Sequence, residues 1–92
     1  MTTEINARSR HGKAPVNLGL AYYSLGNYAK AIEYSQQSLA IFREIKDRNG
    51  ERVALCTLGA AYTPVGDYAK VIEYSQQSLA IAREIKHRQR AA

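Results

Sequence analysis

The chain has 92 residues, 46% hydrophobic and 23% charged, with a formal net charge of +5 and a single cysteine. This length allows one domain with a thin core, and the composition is too apolar for a disordered chain. The sequence has no apolar run of the roughly 18 residues that a membrane helix needs and no secretory signal, so we expect a folded cytoplasmic protein. A single cysteine allows no internal disulfide, and Cys and His together are too few for a four-ligand zinc site.

The first half of the chain predicts a pair of helices after a basic segment at 1–12. The first helix is indicated by apolar residues three and four positions apart, and the second by a longer stripe from Tyr28 to Ile45. Between them, Gly26 predicts the end of the first helix and Asn27 the side-chain N-cap of the second. Residues 13–46 therefore form the first predicted unit.

The second half repeats this succession after a predicted turn at DRNGE, residues 47–51. We divide it into a linker at 47–52, a second unit at 53–86 and a basic tail at 87–92, which adds no further helix. Inside this unit, Pro64 lacks an N–H and disfavours helix at the residue before it. It predicts that the third helix ends or kinks there, in a turn TPVG or, alternatively, at a hinge.

The two units are nearly identical. A shift of 40 residues aligns 17–46 with 57–86 and leaves eight differences in thirty positions. A period of this length is typical of a solenoid, in which each unit covers the apolar face of its neighbour. Six of the seven tyrosines recur under the same shift, which favours a packing role over a platform for stacking bases.

Positions that recur in both units resemble the tetratricopeptide repeat. The matching residues are Leu18, Gly19, Tyr22, Gly26, Tyr28 and Ala31, then Leu58, Gly59, Tyr62, Gly66 and Tyr68. The resemblance covers residues 13–88, and the 40-residue spacing is similar to a subclass found in bacterial signalling scaffolds. It implies an all-α fold of two tandem helix-turn-helix units, a short right-handed α-solenoid with four main helices.

Small residues within the helices have predicted roles in close packing. Gly19 and Gly59 each cost about 1 kcal/mol of helix stability relative to alanine, so we expect them to face the second helix of their own unit at short range. Departures from the repeat pattern at Val71 and at four serines predict looser packing. These serines are Ser35, Ser38, Ser75 and Ser78. Each serine can donate a hydrogen bond to the carbonyl one turn earlier, so these serines need not be polar groups without a partner.

No constellation of catalytic residues is present, and we expect neither an enzyme nor a bound cofactor or metal. The glutamates of the second helices recur under the repeat shift, which favours scaffold positions with local ion pairs at Glu44 and Glu84. Cys56 has no histidine in its predicted helix, which argues against a nucleophile and base pair. Glycine-rich phosphate loops are also missing from the sequence.

The resemblance implies that the first helix of each unit lines a concave binding surface. The implied groove residues are Lys13, Val16, Asn17, Leu20, Tyr23, Ser24, Val53, Cys56, Thr57, Ala60 and Thr63. This set is largely apolar, and it lacks the clamp of polar residues with which chaperone-binding members hold a terminal carboxylate. Five of the eight differences between units fall in the first helices, which fits either a ligand or tighter packing of the second helices.

The predicted function is therefore a protein-interaction scaffold. The alternative from another class is a nucleic-acid-binding module that uses the basic residues at both ends, although solvated ends explain these charges as well. Phosphate contacts make affinity fall steeply with salt, which distinguishes the two. A further alternative is that the chain is one piece of a longer array.

Self-association is predicted because the last helix copies an internal one. Ile72, Leu79 and Ile85 would keep an apolar face that natural solenoids cover with a polar capping unit. A face of several hundred Å² is large for a monomer and favours a contact site. We expect a homodimer, symmetric or domain-swapped. The alternative is a marginal monomer, or a chain in which residues 1–12 fold back over part of this face.

Overall fold

A computed structural model describes the backbone of residues 13–91 and the side chains of residues 18–90. Four helices account for the described chain: α1 Lys13–Ser24, α2 Tyr28–Glu44, α3 Arg48–Val65 and α4 Tyr68–Ala91. Each helix packs against the next, and α1 also contacts α3. No strand occurs within 13–91. The all-α prediction of two helix pairs is confirmed, whereas the predicted basic segment at 1–12 lies outside the described residues.

The turns inside both helix pairs form as predicted. Gly26 and Gly66 have φ of 82° and 89°, in the left-handed region that glycine tolerates best. Oδ1 of Asn27 accepts a hydrogen bond from the backbone N–H of Lys30 at 3.3 Å, and Oδ1 of Asp67 accepts one from Lys70 at 3.3 Å. The same turn chemistry therefore starts α2 and α4.

The predicted turn at 47–51 is wrong, because α3 already begins at Arg48. Asp47 is its N-cap and accepts a hydrogen bond from the N–H of Gly50 at 2.9 Å. Glu51 places a negative charge in the first turn, where the helix dipole favours it. The chain reverses direction earlier, at Ile45 and Lys46, and Lys46 adopts a φ of 60°.

The predicted basic tail is helical as far as it is described, since α4 continues to Ala91. The repeat shift explains why α2 stops where α4 continues. His87 stands in the place of the N-cap Asp47, and Arg90 stands in the place of Gly50. Without a new cap to start another helix, the last helix extends, and Arg88 pairs with Glu84 one turn earlier at 3.4 Å.

The predicted turn at Pro64 is also wrong, because Thr63, Pro64 and Val65 belong to α3. The proline stands in the last turn, where it removes only the bond to the carbonyl of Ala60. The N–H of Gly66 closes the helix on the carbonyls of Tyr62 and Thr63 at 3.1 Å each. This arrangement removes the sequence argument for a hinge at Pro64.

The hydrophobic core lies between α2, α3 and α4. Its buried members are Leu39, Phe42, Ala54, Leu55, Leu58 and Ile81. Phe42 lies directly against Gly50 in the first turn of α3, where an added Cβ would collide with its ring. Gly50 is therefore a packing residue of α3, although the sequence suggested a turn residue.

Close approach of the helices at Gly19 and Gly59 is confirmed. A Cβ on Gly19 would lie 2.6 Å from Oγ of Ser35, and one on Gly59 would lie 3.2 Å from Oγ of Ser75. The small serine on the second helix is thus what the glycine on the first helix faces. A large aromatic residue at Ser35 would not fit against Gly19 at this distance.

Of the four serines, Ser38 and Ser78 donate hydrogen bonds through their hydroxyls, whereas Ser35 forms none within the described part of the chain. Ser38 Oγ donates to the carbonyl of Tyr34 at 3.0 Å, as expected one turn earlier, and Ser78 Oγ donates to the carbonyl of Arg52 at 3.2 Å. Ser35 Oγ is fully buried and finds no partner within the described part of the chain. Ser35 therefore lacks the hydrogen bond to the carbonyl one turn earlier that its place in the helix allows.

The recurring tyrosines stack between the helices of each pair. Tyr22 stacks on Tyr34 with ring centroids 5.4 Å apart, and Tyr62 stacks on Tyr74 at 5.8 Å. Lys30 lies over the ring of Tyr22, and Lys70 over that of Tyr62. These four tyrosines are packing residues, as predicted.

Candidate protein-binding surfaces

The first candidate surface, called the first-helix groove below, consists of the predicted groove residues on α1 and α3. Leu20, Ser24, Cys56 and Thr63 are exposed, Tyr23, Val53 and Ala60 are half-buried, and Thr57 is buried. Lys13, Val16 and Asn17 belong to α1, but their side chains lie outside the described residues. The contact between α1 and α3 brings the two sets of side chains into one region.

The polar atoms of this groove on α3 are bonded inside the helix. Thr57 Oγ1 donates to the carbonyl of Val53, and Thr63 Oγ1 donates to that of Gly59, both at 3.0 Å. Val53 packs against the core, so it contributes little free surface. What remains accessible is mainly Leu20, which is 43% exposed, together with smaller neighbours.

The second candidate surface is the outer face of α4. Tyr68, Ile72 and Leu79 are 63%, 57% and 50% exposed. Leu79 is the repeat equivalent of Leu39, which is only 7% exposed because α3 packs on α2. No described element covers α4 in the same way. Ile85, the third predicted residue, packs against the core instead of joining this face.

Basic side chains continue the outer face of α4 toward its C-terminal end. Arg83, Lys86, His87 and Arg90 are all exposed, and they line one open depression. The outer face is therefore apolar in the first half of the helix and cationic in the second half. The sequence indicated basic ends, but the helical extension of residues 87–91 is what aligns these charges along one helix.

An ion network that the sequence analysis missed joins α2, α3 and α4. Arg48 donates to both carboxylate oxygens of Glu84, Nε to Oε2 at 2.9 Å and Nη2 to Oε1 at 3.0 Å. It also donates to Glu51 at 2.8 Å, and Glu51 accepts from Arg43 at 3.1 Å. Glu84 also pairs locally with Arg88, as predicted. Arg48 and Glu51 are three residues apart, so the sequence would have indicated their pair if the start of α3 had been recognised.

Hydrogen bonding sets the electrostatics of this network. The two bonds from Arg48 hold the pKa of the Glu84 carboxyl below its ordinary value, despite opposing desolvation. In return, hydrogen bonds to Glu84 and then Glu51 raise the pKa of the Arg48 guanidinium above its ordinary value. Arg48 and Glu84 therefore stay charged across the physiological range, and their pair ties the start of α3 to α4.

These helix pairs define the class of protein. Two antiparallel pairs of matching sequence, stacked so that the first helices touch, form a short helical solenoid. The family model of the tetratricopeptide repeat matches residues 11–84, and the chain belongs to this family. A search among curated proteins finds no significant match. Members of the family are generally non-catalytic protein-interaction modules.

Two further observations concern the described residues alone. No group of three or more His, Cys, Asp or Glu side chains within them has the geometry to hold a metal ion. Within the same part of the chain, none of the helices is long and apolar enough to span a membrane.

Proposed function

We propose that this chain is a protein-interaction scaffold without chemistry of its own, which binds a peptide or helix in the first-helix groove. The observation that carries the proposal is that Leu20 is exposed on α1, which contacts α3. On α3 the repeat equivalent of Leu20 is the smaller Ala60, and we propose that an apolar ligand side chain fits beside it. None of the eight described groove residues carries a lysine, arginine or carboxylate side chain. The preferred ligand is therefore an apolar segment rather than a terminal carboxylate.

Selection from a displayed library of random peptides tests the groove. Leu20→Glu and Ala60→Glu each place a charge in the groove. We therefore expect each variant to raise the dissociation constant of the selected peptides by about tenfold or more, as the loss of an interface hot spot does. Leu25→Glu is the matched control, because Leu25 is 79% exposed in the turn after α1. If the selected peptides bind both groove variants as tightly as they bind the native chain, the binding site lies elsewhere.

The proposed scaffold also self-associates through the outer face of α4, as a homodimer. Support comes from the exposed Ile72 and Leu79, which are copied from positions that are covered on α2. Light scattering across a hundredfold dilution tests this part of the proposal. If the mass stays at 10.2 kDa up to about 100 μM, any dimer is weaker than a stable interface would make it, and the proposed self-association is wrong.

A second candidate function is nucleic-acid binding, which the depression lined by Arg83, Lys86, His87 and Arg90 favours. Fluorescence anisotropy with mixed-sequence single-stranded DNA and RNA tests this candidate function. Saturable binding near 0.15 M salt, with a steep loss as salt rises, would support this candidate. No binding under these conditions would remove it. A cytoplasmic location and a role as one part of a longer array stay predictions from the sequence.

A further inference from the structure

The outer face of α4 has a polarity along its length that decides how a second copy can pack on it. Exposed side chains three, four or seven positions apart form one stripe: Tyr68, Ile72, Leu79, Arg83, Lys86 and Arg90. The helix extends from Tyr68 to Ala91, so Leu79 stands at its middle. Apolar residues lie on one side of this midpoint and basic residues on the other.

Charge selects the orientation of two such helices. In a parallel pair, the basic halves of both copies would face each other, with several like charges at short range. In an antiparallel pair that crosses at Leu79, each basic half lies along the apolar half of the other helix. Ile72 precedes Leu79 by seven residues and Lys86 follows it by seven, so these two meet across the pair.

The antiparallel contacts are chemically compatible. The aliphatic stem of Lys86 can cover Ile72 while its ammonium group reaches water. Tyr68 and Arg90 are each eleven residues from Leu79, which sets a guanidinium beside a tyrosine ring. The chain already uses this type of contact internally, since Lys30 and Lys70 lie over tyrosine rings.

Glu73 adds charge complementarity at the edge of the same face. It is exposed and precedes Leu79 by six residues, so it comes near Arg83 and His87 of the other helix. The two-fold relation forms this contact twice. Glu73 and Arg83 are ten residues apart in one chain, almost three helical turns, so they cannot pair within it.

Head-to-tail stacking of the two open ends is the competing geometry. It would cover the outer face of α4 with α1 of a second copy, where Leu18 is 44% exposed although its equivalent Leu58 is fully buried. In that arrangement each copy keeps one open end, so the assembly would not close at two subunits.

We infer that a second copy of this chain docks on α4 by antiparallel pairing of the two α4 helices, with a two-fold axis at Leu79. This inference rests on the proposed self-association and specifies its geometry. Because the same face is used by both copies, the assembly closes at two subunits.

Disulfide trapping tests the register. In a Cys56→Ser background, Ile72→Cys and Lys86→Cys chains are mixed and oxidised with glutathione disulfide, which is reduced to glutathione as the protein disulfides form, and the products are separated by mass. We expect the mixed disulfide between positions 72 and 86 to dominate over both homodisulfides. Homodisulfides at 72 and at 86 in preference to the mixed product would indicate a parallel pair and overturn the inference.

A charge exchange tests the same geometry without a covalent bond. Glu73→Arg and Arg83→Glu each set like charges together, so we expect each to raise the dimer dissociation constant several-fold, and the double variant to restore it. Glu33→Arg, the repeat equivalent of Glu73 on α2, is the matched control and should change nothing. A double variant that associates no better than the single ones would contradict the antiparallel register.

Two lysine variants separate the geometry from self-association itself. Leu79→Lys should weaken the dimer about a hundredfold or more, whereas Leu18→Lys should leave it unchanged. Both leucines are about half exposed, so circular dichroism should show both variants folded. Equal loss in both variants would indicate head-to-tail stacking and overturn the inference alone. A native chain that is monomeric throughout would overturn the proposed self-association together with it.

Discussion

Arg48 at the start of α3 and Glu84 on α4 form a two-pronged ion pair across 36 residues of sequence, with N to O distances of 2.9 and 3.0 Å. Such paired bonds fix the relative orientation of two groups better than a single contact does. The pair joins the first helix of the second unit to its second helix. Through Glu51 and Arg43, the network also reaches back to α2 in the first unit.

The Arg48 and Glu84 pair predicts a stability change with pH. The pKa of Glu84 is lower in the folded chain than in the unfolded chain, because Arg48 donates to the carboxylate. The contribution of ionised Glu84 to the stability of the fold is therefore present above the ordinary glutamate pKa of about 4.3, and it is lost as the pH falls toward the pKa of Glu84 in the folded chain. We expect Glu84→Gln to lower the thermal midpoint at pH 7 and to make little difference near pH 3.

Thermal unfolding followed by circular dichroism at both pH values checks this prediction. Glu33→Gln is the control, since Glu33 is exposed on α2 and has no ion pair among the described residues. If Glu84→Gln lowers the thermal midpoint by the same amount at pH 7 and at pH 3, the loss of the ion pair is not the cause.

Gly50→Ala should destabilise the fold, although alanine is the better helix former. A Cβ at this position collides with the ring of Phe42, which is itself 2% exposed and cannot move outward. Overpacking of this kind costs about 1–3 kcal/mol. Gly59→Ala is the matched comparison on the same helix, because its Cβ would meet Ser75 Oγ at 3.2 Å and the gain in helix propensity offsets that contact.

Urea unfolding of both glycine variants provides the measurement. The double variant Gly50→Ala with Phe42→Leu should recover part of the loss, since it removes ring atoms from the collision. If Gly50→Ala proves as stable as the native chain, the contact with Phe42 is looser than described.

Ser35→Ala should stabilise the fold. The hydroxyl of Ser35 is fully buried without a partner in the described part of the chain, and an unpaired buried hydroxyl costs about 1–3 kcal/mol. Alanine keeps the Cβ and removes this cost, so the thermal midpoint should rise by several degrees, about 4–8 °C per kcal/mol for a domain of this size. Differential scanning calorimetry checks the shift.

Ser75→Ala is the control for Ser35→Ala, because it changes the repeat-equivalent serine, which is exposed. Its midpoint should stay within about 2 °C of the native value, as for most surface substitutions. Destabilisation by Ser35→Ala would mean that the hydroxyl has a partner after all, such as a bound water.

Asp47→Ala should cost about 1 kcal/mol, the usual effect of losing an N-cap. The carboxylate accepts a hydrogen bond from Gly50 at 2.9 Å and sits at the positive end of the α3 dipole. Asp47→Asn retains the acceptor without the charge, and we expect it to lose less. Urea unfolding should rank the native chain above Asp47→Asn and Asp47→Ala last; equal stability of all three would argue against this cap.

The helix pairs themselves could be predicted from the sequence, because the signals for them are local. Glycine followed by Asn27 or Asp67 identifies a helix end and a new cap regardless of what surrounds it. The 40-residue repeat then indicated that the second pair covers the first. The same local rules failed at residues 47–51, where a turn and a first helical turn use the same residue types. They also failed at Pro64, which the last turn of α3 accommodates.

Tertiary packing decided what local patterns could not express. Leu39 and Leu79 have identical neighbours in sequence from Tyr34 to Ile41 and from Tyr74 to Ile81, yet one is buried and the other half exposed. Exposure depends on whether another helix lies alongside, and that is a property of position in the stack. The partner of Arg48 at Glu84 and the collision between Gly50 and Phe42 have the same origin, since each arises only when helices distant in sequence meet.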